Sequence, residues 1–233
     1  MHQKRLSAPR DYPIRLKSGG KFVVVSSPGP HDKETSIPLL ILIRDILKYA
    51  ESAREAKKII NEGKVYVDGK VRKNYKYPVG IFDVIWIPDT KEIMRIVPGE
   101  KRLNVVKIPE NEKNIKLCRI ENKTIVKGGK TQLNLNDGKN LLVEKDSYKT
   151  GDSLVIEVPV LKINKHIKRD EGIICMIVKG KNKGRMGIIK KIKKTEGSQP
   201  NLVSVELSQR LIDLPESYVF VVGEKSPVIK ISD

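Results

Sequence analysis

Aromatic residues are scarce in this chain: one Trp, three Phe and seven Tyr make up 5% of its 233 residues. Proteins that hold single-stranded nucleic acid stack successive bases on aromatic platforms, and RNA readers of the RRM type need aromatics on a strand. A chain this poor in rings is expected to direct its contacts to phosphates, sugars and shape. Cysteine is nearly missing too, with only Cys118 and Cys175, and the histidines are His2, His31 and His166. None falls in a CxxC or HxxxH spacing, which excludes a zinc site of standard pattern, so no metal is expected. Both cysteines lie among apolar residues, the setting of an inert packed thiol. No long apolar run exists either. The longest, "IPLLILI" at 37–43, is far short of the ~20 residues that cross a bilayer. The opening "MHQKRLSAPRDYPI" has cations without an apolar stretch behind them, so no secretory signal and no membrane partner are expected. A soluble protein of the cytoplasm is the expectation.

Acidic residues are also in short supply. Against 46 Lys+Arg stand 28 Asp+Glu, a formal net charge of +18. Such an excess repels itself unless a polyanion neutralises it, and nucleic acid is the leading partner. With 39% hydrophobic residues the chain can still bury a core, so wholesale disorder is not expected.

Along the chain, residues 1–35 read as a basic arm. Pro9, Pro13, Pro28 and Pro30 with Gly19, Gly20 and Gly29 interrupt it, leaving room for one short strand, "KFVVV" at 21–25. Cationic arms of this kind commonly order only against nucleic acid. Ser36 is placed as the start of a helix running to about Ala50, with Pro38 in its first turn, and its apolar early part predicts burial on most sides. A second helix follows, marked by the capping-box pair Ser52 and Glu55. On it Ala56, Ile59 and Ile60 form an apolar stripe, while Arg54, Lys57 and Lys58 fall at the same spacing on another face. No acidic stripe compensates those cations, which favours a binding face over a merely solvated one. Gly63 has the place of a C-terminal cap.

"KVYVDGKVRK" then predicts a type I′ hairpin about Asp68-Gly69, and "FDVIWI" at 82–87 a further strand. From 91 to 168 the pattern stays β: "IMRIV", "LNVVKI", "IKLCRI", "KTIVKG", "NLLVE" and "SLVIEV", with turns at 127–130, 136–139 and 150–153. From 169 onward "GIICMIV", "MGIIKKI", "LVSVEL" and "YVFVVG" are spaced as in a small closed barrel. Between the first two lies "KGKNKGR". There Gly180 and Gly184, with Gly187 just beyond, permit positive φ or close backbone approach. Lys179, Lys181, Lys183 and Arg185 are interleaved with them, so cations and bare amides can both meet phosphate. Turn geometry accounts equally well for Gly184, but not for the cations.

Nothing along the chain assembles into a catalytic site. "GGKT" at 128–131 approaches a phosphate loop, but Thr124 stands where that motif requires its first glycine. Asp152 and Asp170 sit at predicted turns, where Asp is ordinary. No enzyme activity, cofactor or small-molecule substrate is expected.

These segments carry a family likeness. "SAREAKKIINEGKVYVDGK" resembles the alpha-L RNA-binding fold, matching it at Ser52, Arg54, Ala56, Ile60, Gly63, Val65, Val67, Gly69 and Lys70. Asp68 departs from it where many members carry Asn. The Gly-Lys loop with Gly184 looks like a KOW motif in an SH3-like barrel. "KRLSAP", "GPHDKETSIPLLILIRDILKYA" and "DGKVRKNYKYPVGIFDVIWI", with the order of the modules, resemble the archaeal and eukaryotic small-subunit ribosomal protein four family, "e" type. The likeness covers essentially the whole chain.

The resemblance implies an α+β, mostly β protein of four segments. They are a basic arm (1–35), an alpha-L domain of two helices on a small sheet (36–90), a central β domain (91–168) and a KOW barrel with tail (169–233). It also implies a structural protein with small-subunit ribosomal RNA and neighbouring small-subunit ribosomal proteins as partners. The end soon after "SPVIKISD", where eukaryotic members carry a longer basic tail, favours an archaeal-type source. On the alpha-L pattern Arg44 and Lys48, then Arg54, Lys57 and Lys58, then Lys64, Lys70 and Arg72 converge on RNA. Lys4, Arg5 and Arg10 add the arm's contacts. Two alternatives stay open: an RNA-modifying enzyme guided by an alpha-L fold, and a transcription elongation factor, where KOW barrels also occur.

Overall fold

Alternating apolar residues dominate the chain from residue 65 onward, and antiparallel strands are the outcome. The computed structural model describes residues 3–14, 20–144, 146–195, 199–208 and 210–232; His2 and Gly19 lie outside the described residues. The chain falls into two compact units. One holds the described residues up to Val97 together with Lys101–Lys116 and Ser232, the other Pro98–Glu100 and Leu117–Ile231. Both are built mostly from strands, with few helical turns, so the α+β, mostly β class holds.

In the first unit a five-stranded sheet runs in the order Lys70–Val71, Tyr66–Val67, Val84–Ile87, Glu92–Pro98, Leu103–Lys107. The helix Ala53–Asn61 starts as its sequence predicts. The Ser52 hydroxyl accepts from the Glu55 amide at 3.2 Å, and the Glu55 carboxylate accepts from the Glu51 amide at 3.0 Å. These bonds satisfy donors that the first helical turn leaves open. Ala56 and Ile60 are fully buried, and Gly63 follows with φ +79°. Asp68 and Gly69 both have positive φ, 52° and 71°, between strands paired Tyr66 to Val71 and Val67 to Lys70. That is the I′ geometry that an Asp-Gly pair favours.

The helix predicted from Ser36 is shorter than expected. Ser36–Pro38 is a strand paired antiparallel with Pro78–Gly80, and winding begins only at Leu39. It loosens at once, with the Leu47 amide reaching Leu42 O and the Tyr49 amide reaching Ile43 O, and it ends at Lys48, φ 57°. A local pattern cannot reveal that strand, because its partner lies some 40 residues away in the chain.

The arm also differs from expectation. Its described part packs without nucleic acid: Gln3–Lys4 pairs with Phe22–Val23, Tyr12 and Ile14 are buried, and the Ser27 amide donates to Lys76 O. His31 anchors its far end. The imidazole Nε2 lies 2.9 Å from both Asp83 carboxylate oxygens, over Gly80, where a Cβ would stand 2.3 Å from the ring. Asp83 also meets the buried Lys116 ammonium, which bonds Asp68 at 2.6 Å. Burial by itself would raise the Asp83 carboxyl, but the charges of His31 and Lys116 outweigh it and hold the group far below the usual carboxylate range.

Two further five-stranded sheets are built almost wholly from residues of the second unit. One is ordered Asn140–Val143, Thr131–Leu135, Ile115–Ile125, Ser153–Glu157, Lys162–Ile167, the other Arg210–Pro215, Leu202–Leu207, Met186–Lys193, Ile174–Ile177, Val219–Gly223. "IKLCRI" and "KTIVKG", read as two strands, are one 11-residue strand with an irregularity between Ile120 and Asn122. The strands Thr131–Leu135, Lys162–Ile167 and Arg210–Pro215 were not predicted. Asp152 serves its turn: buried, it accepts from His166 at 2.7 Å and from the Lys149 and Arg169 amides at 3.0 Å each. Cys118 and Cys175 are both buried and neither is in a disulfide; the Cys118 thiol lies 3.7 Å from Asp137.

Candidate nucleic-acid interface

The helix Ala53–Asn61 turns one face to the core and the other to solvent. On the outer side Arg54, Lys57 and Lys58, with Asn61 and Glu62, line an open groove of about 620 Å³. Among the described residues none of the three cations has a carboxylate partner. Lys57 is held over the Tyr75 ring, its Nζ 4.5 Å from the centroid, and Lys76 reaches the same ring at 5.6 Å. Arg72 lies over Tyr77 with its guanidinium carbon 4.4 Å from the centroid. A ring face attracts a cation without neutralising it, so these side chains are ordered before a ligand arrives and lose less freedom on binding. Burial pushes the Tyr77 hydroxyl up to about 12, with the Asp83 charge adding to it; at neutral pH the ring carries no charge to compete with phosphate.

The tyrosines are what the sequence reading missed. Their signal is the alternation of cation and ring in "RKNYKYP", residues 72–78. Aromatics are few here, and these two seat cations instead of stacking bases.

The remaining predicted residues divide. Lys70 is exposed on the hairpin, and Lys48 is exposed just past the helical turns. Arg44 is not a free cation: its guanidinium forks onto the adjacent Asp45 at 3.0 and 2.8 Å. Lys64 sits 3.2 Å from Asp89 and 3.3 Å from Glu62, and those hydrogen bonds, Asp89 first, raise its pKa. In the arm Lys4 and Arg10 are exposed, and Arg5 donates through Nε to Gly20 O at 2.9 Å.

In the second unit Lys179 and Lys181 are exposed, and Arg185 lies 3.5 Å from Glu100. Lys183 is only 6% exposed, so the expectation that it faces phosphate does not hold for the free chain. The glycines of this loop approach protein. A Cβ on Gly184, φ +83°, would stand 2.6 Å from the Gly99 backbone, and one on Gly187 2.6 Å from Glu206 O. Asp68, the departure from the alpha-L pattern, is explained by its buried bond to Lys116, which an uncharged Asn would answer only in part.

Comparison with known proteins matches the chain to one family along nearly its whole length. The model of Ribosomal family S4e matches residues 90–163, that of the S4 domain residues 38–85, and that of the RS4NT (NUC023) domain residues 1–34. The chain is 50% identical over 232 residues to small ribosomal subunit protein eS4 of Archaeoglobus fulgidus, covering 98% of this chain and 97% of the relative. It is 47% identical to the eS4 protein of Aeropyrum pernix, over 99% and 94%. Among solved structures, the crystal structure of 30S ribosomal protein S4e from Thermoplasma acidophilum matches with a TM-score of 0.72 at 35% identity, covering 82% of this chain and 97% of that one.

Proposed function

The chain belongs to ribosomal family S4e, and from that premise we propose that it binds small-subunit ribosomal RNA through phosphate and shape contacts, as a structural constituent of the small ribosomal subunit. The relatives are ribosomal proteins, which supports this reading over the modifying-enzyme and elongation-factor alternatives, with the cytoplasmic ribosome as its place and other small-subunit proteins as its proposed neighbours. In this reading the arm (1–35), the alpha-L segment (36–90), the central β segment (91–168) and the KOW segment (169–233) each offer part of the surface. The first contact is the helix face, joined by Lys48, Lys70 and Arg72. The arm's Lys4, Arg5 and Arg10 and the loop's Lys179, Lys181 and Arg185 add to it. Arg44 and Lys64 contribute once their carboxylates are displaced or shared.

The groove of Arg54, Lys57 and Lys58 carries the reading. It holds three cations on one rigid helix, unpaired with acids among the described residues and in part seated on a ring. Arg forks across phosphate oxygens while Lys acts as a point charge. The test is filter binding to small-subunit ribosomal RNA. Arg54→Glu with Lys57→Glu is expected to lower affinity on the order of 100-fold, since it removes two phosphate contacts and adds repulsion. Thermal unfolding should stay within ~0.5 kcal/mol of the parent, as for surface changes generally. Undiminished affinity would show that this face is not the contact.

A further inference from the structure

The central sheet of the second unit has an outer face on which uncharged polar residues predominate. Register places Asn122, Asn134 and Asn140 side by side across three strands, and Thr124, Gln132 and Leu142 side by side in the next row. The alternate positions point the other way: Leu133, Leu135 and Leu141 are buried core. A period of two therefore puts three Asn, a Gln and a Thr on one surface. The rows are about 6.8 Å apart and the strands about 4.8 Å. In a protein of net charge +18, this uncharged patch needs a reason.

The amides are organised but not used up. Gln132 Nε2 donates to Asn134 Oδ1 at 2.8 Å, and Asn134 Nδ2 donates to Thr124 Oγ1 at 3.2 Å. Each amide keeps further donors and acceptors. Among the described residues the Asn122 and Asn140 side chains make no hydrogen bond, and both are exposed. The loop joining two of the three strands, 127–130, carries the exposed Lys127 and Lys130. Lys130 is 3.6 Å from a still more exposed Glu144, a pairing worth little in water. A Cβ at Gly128 or Gly129 between them would meet nothing.

We propose that this face lies in the minor groove of an RNA duplex, its amides bonded to ribose 2′-hydroxyls and its lysine tip on the flanking phosphates. The proposal rests on the ribosomal RNA reading above. The A-form minor groove is wide and shallow and displays hydroxyls that both donate and accept, which is what a flat row of amides both accepts from and donates to. A protein partner is disfavoured by the same residues. Protein interfaces centre on apolar and aromatic anchors, and of the six positions only Leu142 is apolar.

The test uses the full chain carrying Leu142→Cys with an iron chelate on the new thiol, bound to small-subunit ribosomal RNA. Cys118 and Cys175 are buried, and burial pushes the Cys175 thiol up to about 12, so the label goes to position 142. Radicals from the iron should cut riboses on both strands of one helical segment. The same probe on Asn61→Cys reports the helix groove. Cuts from position 61 with none from 142, or cuts from 142 in single strands only, overturn this inference and leave the broader reading standing. An absence of cuts from both overturns the two together. Independently, Asn122→Ala, Asn134→Ala and Asn140→Ala combined should lower affinity about 10- to 30-fold while the slope of log affinity against log salt stays unchanged, because every cation is still in place. Unchanged affinity sinks the proposal. So does normal RNA affinity with failed entry into the subunit, which would mean a protein docks there.

Discussion

The helix 53–61 and the loop 178–185 look alike as sequence, each a dense run of Lys and Arg, yet the fold treats them differently. On the helix, Arg54, Lys57 and Lys58 all face outward, without a carboxylate partner among the described residues, and Tyr75 holds Lys57 in place. In the loop, Lys183 is buried, Arg185 shares its charge with an exposed Glu100, and Gly184 is pressed against the Gly99 backbone, which leaves Lys179 and Lys181 as the fully available cations and Arg185 as a partly engaged one. Cation density alone does not locate an interface. What matters is whether the scaffold leaves the charge unpaired and fixed. Lys116 is the extreme case, a cation in the core between two carboxylates.

The largest expected effect comes from that core lysine. Lys116→Met leaves Asp68 and Asp83 without their ammonium and should destabilise by ~3–5 kcal/mol in urea unfolding, the usual result of breaking a buried pair, with the salt dependence of RNA binding unchanged. The same cluster predicts a pH profile. The native Asp83 pKa is depressed, so its contribution is complete above the unfolded value near ~4 and is lost as pH falls from there toward the native value. Acid titration of the parent should show a decline below about pH 4, and Asp83→Asn should flatten it. Next in size, Gly184→Ala combines a left-handed backbone with a clash against Gly99 and should cost about 1–3 kcal/mol, again without altering the salt slope. A lowered slope would mean that the loop glycine contacts RNA after all. The smallest effect is Tyr75→Ala, which frees Lys57 and should weaken RNA binding about 2- to 5-fold, the worth of an exposed cation–π contact. Tyr75→Phe keeps the ring and should behave as the parent.

Local features were readable in advance. The Ser52–Glu55 cap and the Asp68-Gly69 turn are decided by residues within four positions of each other, and both stand as expected. What depends on distant partners was not readable. Ser36–Pro38 became a strand because Pro78–Gly80 pairs with it. Lys162–Ile167, with Lys, Asn and His among its apolar residues, and Arg210–Pro215, which ends in proline, carry weak strand signals and gain their place from neighbours in the sheets. Of the candidate site, the helix stripe was visible from its spacing, whereas the pairing of Arg44 with Asp45, the burial of Lys183 and the seating of Lys57 and Arg72 on tyrosines require coordinates.

The difference between exposed and folded-in cations is measured most directly by salt titration of ribosomal RNA binding. Neutralising Arg54, Lys57 and Lys58 to Gln should reduce the magnitude of the log affinity against log salt slope by about 2–3, roughly one unit for each phosphate no longer neutralised, while Lys183→Gln leaves it as in the parent. A slope unmoved by the helix triple, or moved as far by Lys183→Gln alone, would contradict the account.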